Sequence, residues 1–271
     1  MSVPVPSLPV LAHTADGMGA PCLLLNGGLM SMRAWDAVAL PLSSRRRVIR
    51  CDLRGQLLSP GHVPATLEGH ADEIVRLLDA LEVGHVDLAG TSMGAFVAIA
   101  TAATYPDRVR SLVAMNACEC ITPPMWGAAT LVITAARQAA EGGDGGRVLD
   151  LLGPATFSDV FLATFEDQLA QRRAAIAAFP RHWFAALADM LEALRGLDLR
   201  TYARRVACPS LVMGAELDRT FPAAHSHALH AAFAAARLEI VPGAPHGMVV
   251  EQPAEVVSRL DAFWSTIDQG S

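Results

Sequence analysis

Val86-Asp87-Leu88-Ala89-Gly90-Thr91-Ser92-Met93-Gly94-Ala95-Phe96-Val97-Ala98-Ile99-Ala100 is the stretch whose reading decides the fold. A short apolar run, Val86 to Ala89, turns at Gly90–Gly94 into a longer one. A serine between two glycines, where a strand turns sharply into a helix, has the form of a nucleophile elbow. The residue types follow from sterics. The serine takes a strained backbone conformation that lifts its hydroxyl above the sheet, and the glycines lack the β-carbons that would collide as strand and helix close on each other. The N–H of Met93 then opens a helix, where backbone donors have no partner and favour negative charge.

Outward from this stretch, short β-like runs alternate with helical ones. Cys22-Leu23-Leu24-Leu25 reads as a buried strand that breaks at Asn26-Gly27-Gly28, and Arg47–Asp52 as a second. Leu67, Ala71, Ile74, Leu77, Leu78 and Leu81 fall at helical spacing and predict an amphipathic helix from Thr66 to about Glu82. Ser111–Met115, Ser210–Met213 and Leu238–Val241 read as further strands, and Pro253 starts a final helix with Val256, Val257, Leu260 and Phe263 on one face. Near-continuous apolar strands alternating with helices mean a mostly parallel, doubly wound sheet covered on both sides. Residues 121–205 break the rhythm. They carry helical patterns over Trp126–Ala140, Phe165–Ala178 and His182–Leu194 and no convincing strand, so they read as a helical insertion between core segments 1–120 and 206–271.

Bulk properties bound the function. The chain has 271 residues, is 52% hydrophobic and carries a net charge of −6, enough for one large α/β domain. All 21 basic residues are Arg and form no dense patch, so nucleic acid is not an expected partner. Five dispersed cysteines (Cys22, Cys51, Cys118, Cys120 and Cys208) suit buried thiols in a reducing cytoplasm better than a disulfide framework. Met1 to His13 has three prolines and no basic residue, unlike a signal peptide, and the most apolar stretch, Ala95–Ala103, is too short to span a bilayer. The expectation is a cytoplasmic protein with a small-molecule substrate, no membrane partner and a homodimer as its candidate assembly. Cys118-Glu119-Cys120 and the trio His225, His227 and His230 do not have the pattern of a metal site, and none is expected.

In an open α/β sheet, reactive groups gather at the carboxyl ends of the strands. After the strand ending at Leu25, Asn26-Gly27-Gly28 offers exposed backbone donors. The N–H of Gly28, or of Leu29, is the candidate to join that of Met93 in an oxyanion hole. After Met213, Asp218 stands four residues before Pro222 as the candidate acid, with Glu216 and Glu119 as the other carboxylates in reach. His246, in Pro242-Gly243-Ala244-Pro245-His246-Gly247-Met248, completes the chain order Ser, Asp, His. Its imidazole would take the Ser92 proton while Asp218 holds the tautomer.

Over roughly Pro21 to Thr266 the chain resembles the α/β-hydrolase superfamily. The resemblance rests on the elbow, on Asp52-Leu53-Arg54-Gly55 followed by Ser59-Pro60, on Tyr105-Pro106-Asp107-Arg108-Val109, and on the segments Pro209–Pro222 and Pro242–Pro253. It departs from the family at Asn26, where His precedes the glycine, at Leu57, where glycine is usual, and at Ala95, a second frequent glycine position. The resemblance implies the α/β-hydrolase fold, with residues 121–205 as a helical cap inserted after the sixth core strand. It implies a cofactor-free serine hydrolase acting on a small ester or lactone. A carbon–carbon bond hydrolase of a diketone or dienoate, a cofactor-free perhydrolase and a ligand receptor on a slow hydrolase scaffold are the alternatives. The aspartate-nucleophile dehalogenases and epoxide hydrolases are argued against by Ser92. The insertion supplies Met125, Trp126, Phe157, Phe161, Phe165, Trp183, Phe184 and Met190, most of which must pack helix on helix. Leu29, Trp126, Phe161, Trp183 and Met248 are the candidates to line a largely apolar substrate pocket.

Overall fold

The computed structural model describes residues 9–269, so the expectations for Met1–Leu8 and for the last two residues lie outside the described residues. Among the described residues seven strands form one sheet: β1 (His13–Asp16), β2 (Pro21–Leu25), β3 (Arg47–Cys51), β4 (Val86–Thr91), β5 (Val109–Met115), β6 (Ser210–Ala215) and β7 (Ala236–Val241), in the order β1-β3-β2-β4-β5-β6-β7. β1 runs antiparallel to β3, and all other neighbours are parallel. From β2 the chain winds outward to β3, then returns past β2 to build the other half from β4. β2 and β4 therefore flank the point where the winding reverses, which is where open α/β sheets place their ligands.

Side-chain alternation explains the layers. Along β2, Cys22 and Leu24 face one side while Leu23 and Leu25 face the other, and all four are buried. The first side packs against the helices Asp36–Leu42 and Pro253–Gln269 through Trp35, Val38, Leu42, Leu260, Phe263 and Trp264. The second packs against Leu67–Ala80 and Met93–Thr104. Leu67–Ala80 is capped by the Thr66 hydroxyl, which accepts from Gly69 N, and it turns its buried stripe of Leu67, Ala71, Ile74, Leu77 and Leu78 inward. Met93–Thr104 is apolar nearly all round because it is enclosed by the sheet, by that helix and by the short helix Arg200–Ala203. A charged network closes the opposite end of the sheet: buried Asp87 accepts from Arg46 Nη1 at 2.8 Å and from Ser111 Oγ at 2.7 Å.

Between β5 and β6 lie the helices Pro123–Ala140, Gly146–Thr156, Asp159–Thr164, Glu166–Ala177 and Arg181–Glu192, with no strand. Counted over the described residues, this insertion follows the fifth strand in chain order, where the sequence reading counted a sixth. Its two legs meet in a bridge between Cys120 and Asp198, with Ile121 N donating to Leu197 O and Leu199 N to Glu119 O. Beyond that neck, Leu199, Ala203 and Val206 are part of the main core, which Ala186, Met190 and Leu194 of the insertion also join. Trp183, Phe184, Leu187, Val132 and Ile133 give the insertion a core of its own.

Candidate active site

Ser92 joins β4 to the helix Met93–Thr104 at φ 53°, ψ −119°. A positive φ on a residue with a side chain costs on the order of 1–3 kcal/mol and persists only where the surroundings enforce it. The flanking glycines show what enforces it here. A Cβ built on Gly90 would sit 2.2 Å from Gly94 O, and one on Gly94 would sit 2.3 Å from Leu25 O. The strand, the turn and β2 are thus in backbone contact, as the Gly-x-Ser-x-Gly pattern predicts.

The loop after β2 lies against the serine. Leu25 pairs with Gly90 in the sheet, and a Cβ built on Gly27 would be 3.6 Å from Ser92 Cβ. Gly27 N donates to Met30 Sδ at 3.2 Å, while no protein acceptor among the described residues takes the N–H groups of Gly28 or Met93. Asn26 is a buried brace: its Nδ2 donates to Asp52 Oδ1 and to Gln56 Oε1, both at 3.0 Å. Asp52 also accepts from Met32 N at 2.7 Å and Leu58 N at 2.9 Å, so one buried carboxylate ties two loops.

The acid and base segments converge from β6 and β7. His246 Nδ1 is 2.8 Å from Asp218 Oδ2. The other oxygen, Asp218 Oδ1, accepts from Thr220 N at 2.8 Å and Phe221 N at 2.7 Å. The Asp218 side chain is fully buried and His246 nearly so. Phe221 meets the imidazole edge-on, with ring centroids 5.4 Å apart, and Asn116 Nδ2 donates to the His246 carbonyl. Among the described residues the Ser92 hydroxyl makes no hydrogen bond, an arrangement common before substrate aligns such groups. The two rival carboxylates are engaged elsewhere: Glu119 Oε2 lies 2.8 Å from His225 Nδ1, and Glu216 Oε2 accepts from Gly243 N at 2.7 Å. Burial pushes the Cys118 thiol up, with Glu119 adding to it, so this neighbour of Asp218 stays neutral.

The insertion docks on these same loops through residues 154–159. Thr156 O accepts from Gly247 N at 2.7 Å, and the Phe157 ring would be 3.0 Å from a Cβ on Gly247. Glu251 accepts from both N and Oγ of Ser158, and Arg219 makes two contacts of 2.8 and 2.7 Å with Asp159. Of the candidate pocket residues, Leu29 and Trp126 are half-buried against the insertion's core, and Phe161 is stacked on Phe157 and tilted against Phe165. Two assignments need correction. Trp183 is buried edge-on between Phe179 and Phe184, and Met248 is buried with Trp35 and the final helix on the other side of the sheet, so both are packing residues. Gln56, Met30, Asn116 and Glu251 were missed, since no motif in the sequence marks their partners.

Residues 22–259 match the Alpha/beta hydrolase family. The chain belongs to that family. This hydrolase is 28% identical, over 91% of its length and 96% of the relative's, to the pimeloyl-[acyl-carrier protein] methyl ester esterase of Aeromonas hydrophila subsp. hydrophila. It is 36% identical to the 2-hydroxymuconate semialdehyde hydrolase of Pseudomonas sp. (strain CF600) over 106 residues, 37% of this chain and 38% of that one. Among solved structures, it superposes on a thermophilic esterase from Thermogutta terrifontis with a TM-score of 0.82 and 26% identity, over 95% of this chain and 93% of the other.

Proposed function

We propose that this hydrolase cleaves a small, largely apolar carboxylic ester or lactone through an acyl-enzyme. The observation that carries this reading is the Asp218–His246 contact of 2.8 Å, presented at the same end of the sheet as the strained Ser92. Ser92 Oγ attacks the carbonyl carbon and its proton passes to His246 Nε2, while Asp218 stabilises the imidazolium. The N–H groups of Met93 and Gly28 hold the oxyanion, each worth about 3–4 kcal/mol of barrier. Collapse breaks the C–O bond, and the leaving alcohol takes the proton from Nε2. Water, deprotonated by the same nitrogen, then attacks the acyl group, releases the carboxylic acid and restores Ser92. The steps balance with water alone, so no cofactor is required.

The helical insertion acts as the cap, and its contacts with Arg219, Thr220, Gly247 and Glu251 let it enclose the substrate from the acid and base side. The esterase relative supports the ester reading. A second reading, hydrolysis of a carbon–carbon bond in a diketone or dienoate with the same residues, draws support from the partial likeness to 2-hydroxymuconate semialdehyde hydrolase. Among the described residues no helix is long and apolar enough to cross a membrane, and the five cysteines are free thiols, which suits the proposed cytoplasmic location.

The test is a panel of p-nitrophenyl esters, small lactones and vinylogous diketones run on wild type and Ser92→Ala. Ester or lactone turnover that disappears in Ser92→Ala is the expected result. Turnover of the diketone alone would replace the reading by the second. Activity surviving in Ser92→Ala would overturn both.

A further inference from the structure

Two consecutive glycines give the loop after β2 a peptide that rotates at little steric cost. The Gly27–Gly28 peptide is nevertheless held. Gly27 O accepts from Gln56 Nε2 at 2.8 Å and from Met30 N at 3.1 Å. A trans peptide is planar, so the carbonyl of Gly27 and the N–H of Gly28 point in opposite directions. Whatever fixes the carbonyl therefore aims the N–H.

We propose that Gln56 is a positioning residue that sets the direction of the Gly28 N–H and so keeps the oxyanion hole open. This rests on Gly28 being an oxyanion donor, as in the reading above. The orientation of the Gln56 amide is dictated by its partners. Its Oε1 accepts from Leu53 N at 2.8 Å and from Asn26 Nδ2 at 3.0 Å, and because a backbone N–H can only donate, Nε2 must face Gly27 O. Gln56 is 1% exposed and Gly27 is buried, so water does not compete for the Gly27 carbonyl. The clamped peptide lies beside the nucleophile, given the 3.6 Å between a Cβ on Gly27 and Ser92 Cβ. Without Nε2, one neighbour on the carbonyl remains, Met30 N within the same turn. The peptide can then rotate, turning its carbonyl toward the developing negative charge, where it repels what the N–H should bind. Asn26 holds Gln56 in place, but it does not touch Gly27 O; its loss leaves the Gln56 bonds to Leu53 and Gly27 intact.

The experiment compares wild type, Gln56→Met, Gln56→Glu and Ser92→Ala. Gln56→Met keeps chain length and removes the donor. Gln56→Glu keeps an acceptor for Leu53 and Asn26 while placing an oxygen against the Gly27 carbonyl, and it serves if the Met variant fails to fold. The readouts are kcat and KM for p-nitrophenyl butyrate, the pH profile, and Ki for an alkylthio trifluoromethyl ketone, whose hemiketal with a serine places an oxyanion in the hole. Either Gln56 variant should lose roughly 10- to 100-fold in kcat, short of the about 10²–10³ for deleting a donor, with KM and the pH profile little changed and Ki raised in parallel. A kcat loss without weaker inhibitor binding, or a change confined to KM or melting temperature, overturns the inference while an inactive Ser92→Ala leaves the serine-hydrolase reading standing. An active Ser92→Ala overturns both.

Discussion

Replacing Gly94 by Ala tests the close contact on which the site is built. The added Cβ would lie 2.3 Å from Leu25 O and 2.6 Å from both Leu25 C and Asn26 O, where ordinary contact begins at 3.4 Å. Backbone atoms on both sides must therefore separate by about 1 Å, and overpacking of this kind costs ~1–3 kcal/mol or more. For a chain of this size that lowers the melting temperature by roughly 3–10 °C. The catalytic consequence is larger. Leu25 and Asn26 lead directly into Gly27 and Gly28, so the displacement moves the oxyanion loop away from Ser92. A misplacement of about 1 Å costs on the order of 10² in rate. Gly84→Ala is the control, because a Cβ there meets nothing within 4 Å. It should stay within about 0.5 kcal/mol of wild type and keep full activity. Thermal melts and kcat on p-nitrophenyl butyrate read both effects. Gly94→Ala with wild-type melting temperature and kcat would refute the argument that this contact fixes the geometry.

In Asp218→Asn, the two backbone donors Thr220 N and Phe221 N require an acceptor, so the new amide nitrogen turns toward His246 Nδ1. That moves the ring proton to Nε2, which can no longer accept from Ser92, and kcat should fall by about 10³–10⁴ with the fold intact; a loss under tenfold would contradict it. His70 is buried, neither ring nitrogen has a hydrogen-bond partner among the described residues, and burial lowers its pKa from 6.5 to about 4. Between those values the unfolded chain binds the proton and the folded one does not, so stability is lost as pH falls through this window, by about 3 kcal/mol in all. His70→Leu should flatten urea-derived stability between pH 6.5 and 4 relative to wild type, and an unchanged slope would count against it. The cap reading predicts that kcat/KM falls toward C16 across a series of p-nitrophenyl esters and falls for a dicarboxylate monoester, whose charge would be buried without a partner; a preference for either would sink it.

The parts of the fold that depend on local chemistry were legible. The elbow, the buried strands and the stripe of Leu67–Ala80 each declare themselves in spacing, and the order Ser92, Asp218, His246 follows from where parallel strands end. β1 was not legible: His13-Thr14-Ala15-Asp16 is wholly exposed and joins the sheet through its backbone pairing with β3, so no apolar alternation marks it. The helices Gly146–Thr156 and Asp159–Thr164 were hidden by the run Gly142-Gly143-Asp144-Gly145-Gly146 that leads into them, and by Gly153 and Pro154 inside the first, residues that propensity assigns to turns. Met248 was misplaced because adjacency to His246 in sequence says nothing about which side of the sheet a following residue enters. Gln56 was invisible for a different reason. Its meaning lies in a bond to Gly27, 29 residues away, which exists only once β2 and the loop after β3 are brought together.

The central claim is that Ser92 is an activated nucleophile, and a fluorophosphonate probe followed by intact-protein and peptide mass spectrometry tests it most directly. The account predicts one adduct per chain, mapped to Ser92, absent in Ser92→Ala and strongly slowed in His246→Ala. An unlabelled wild-type protein, or an adduct that persists in Ser92→Ala, would contradict it.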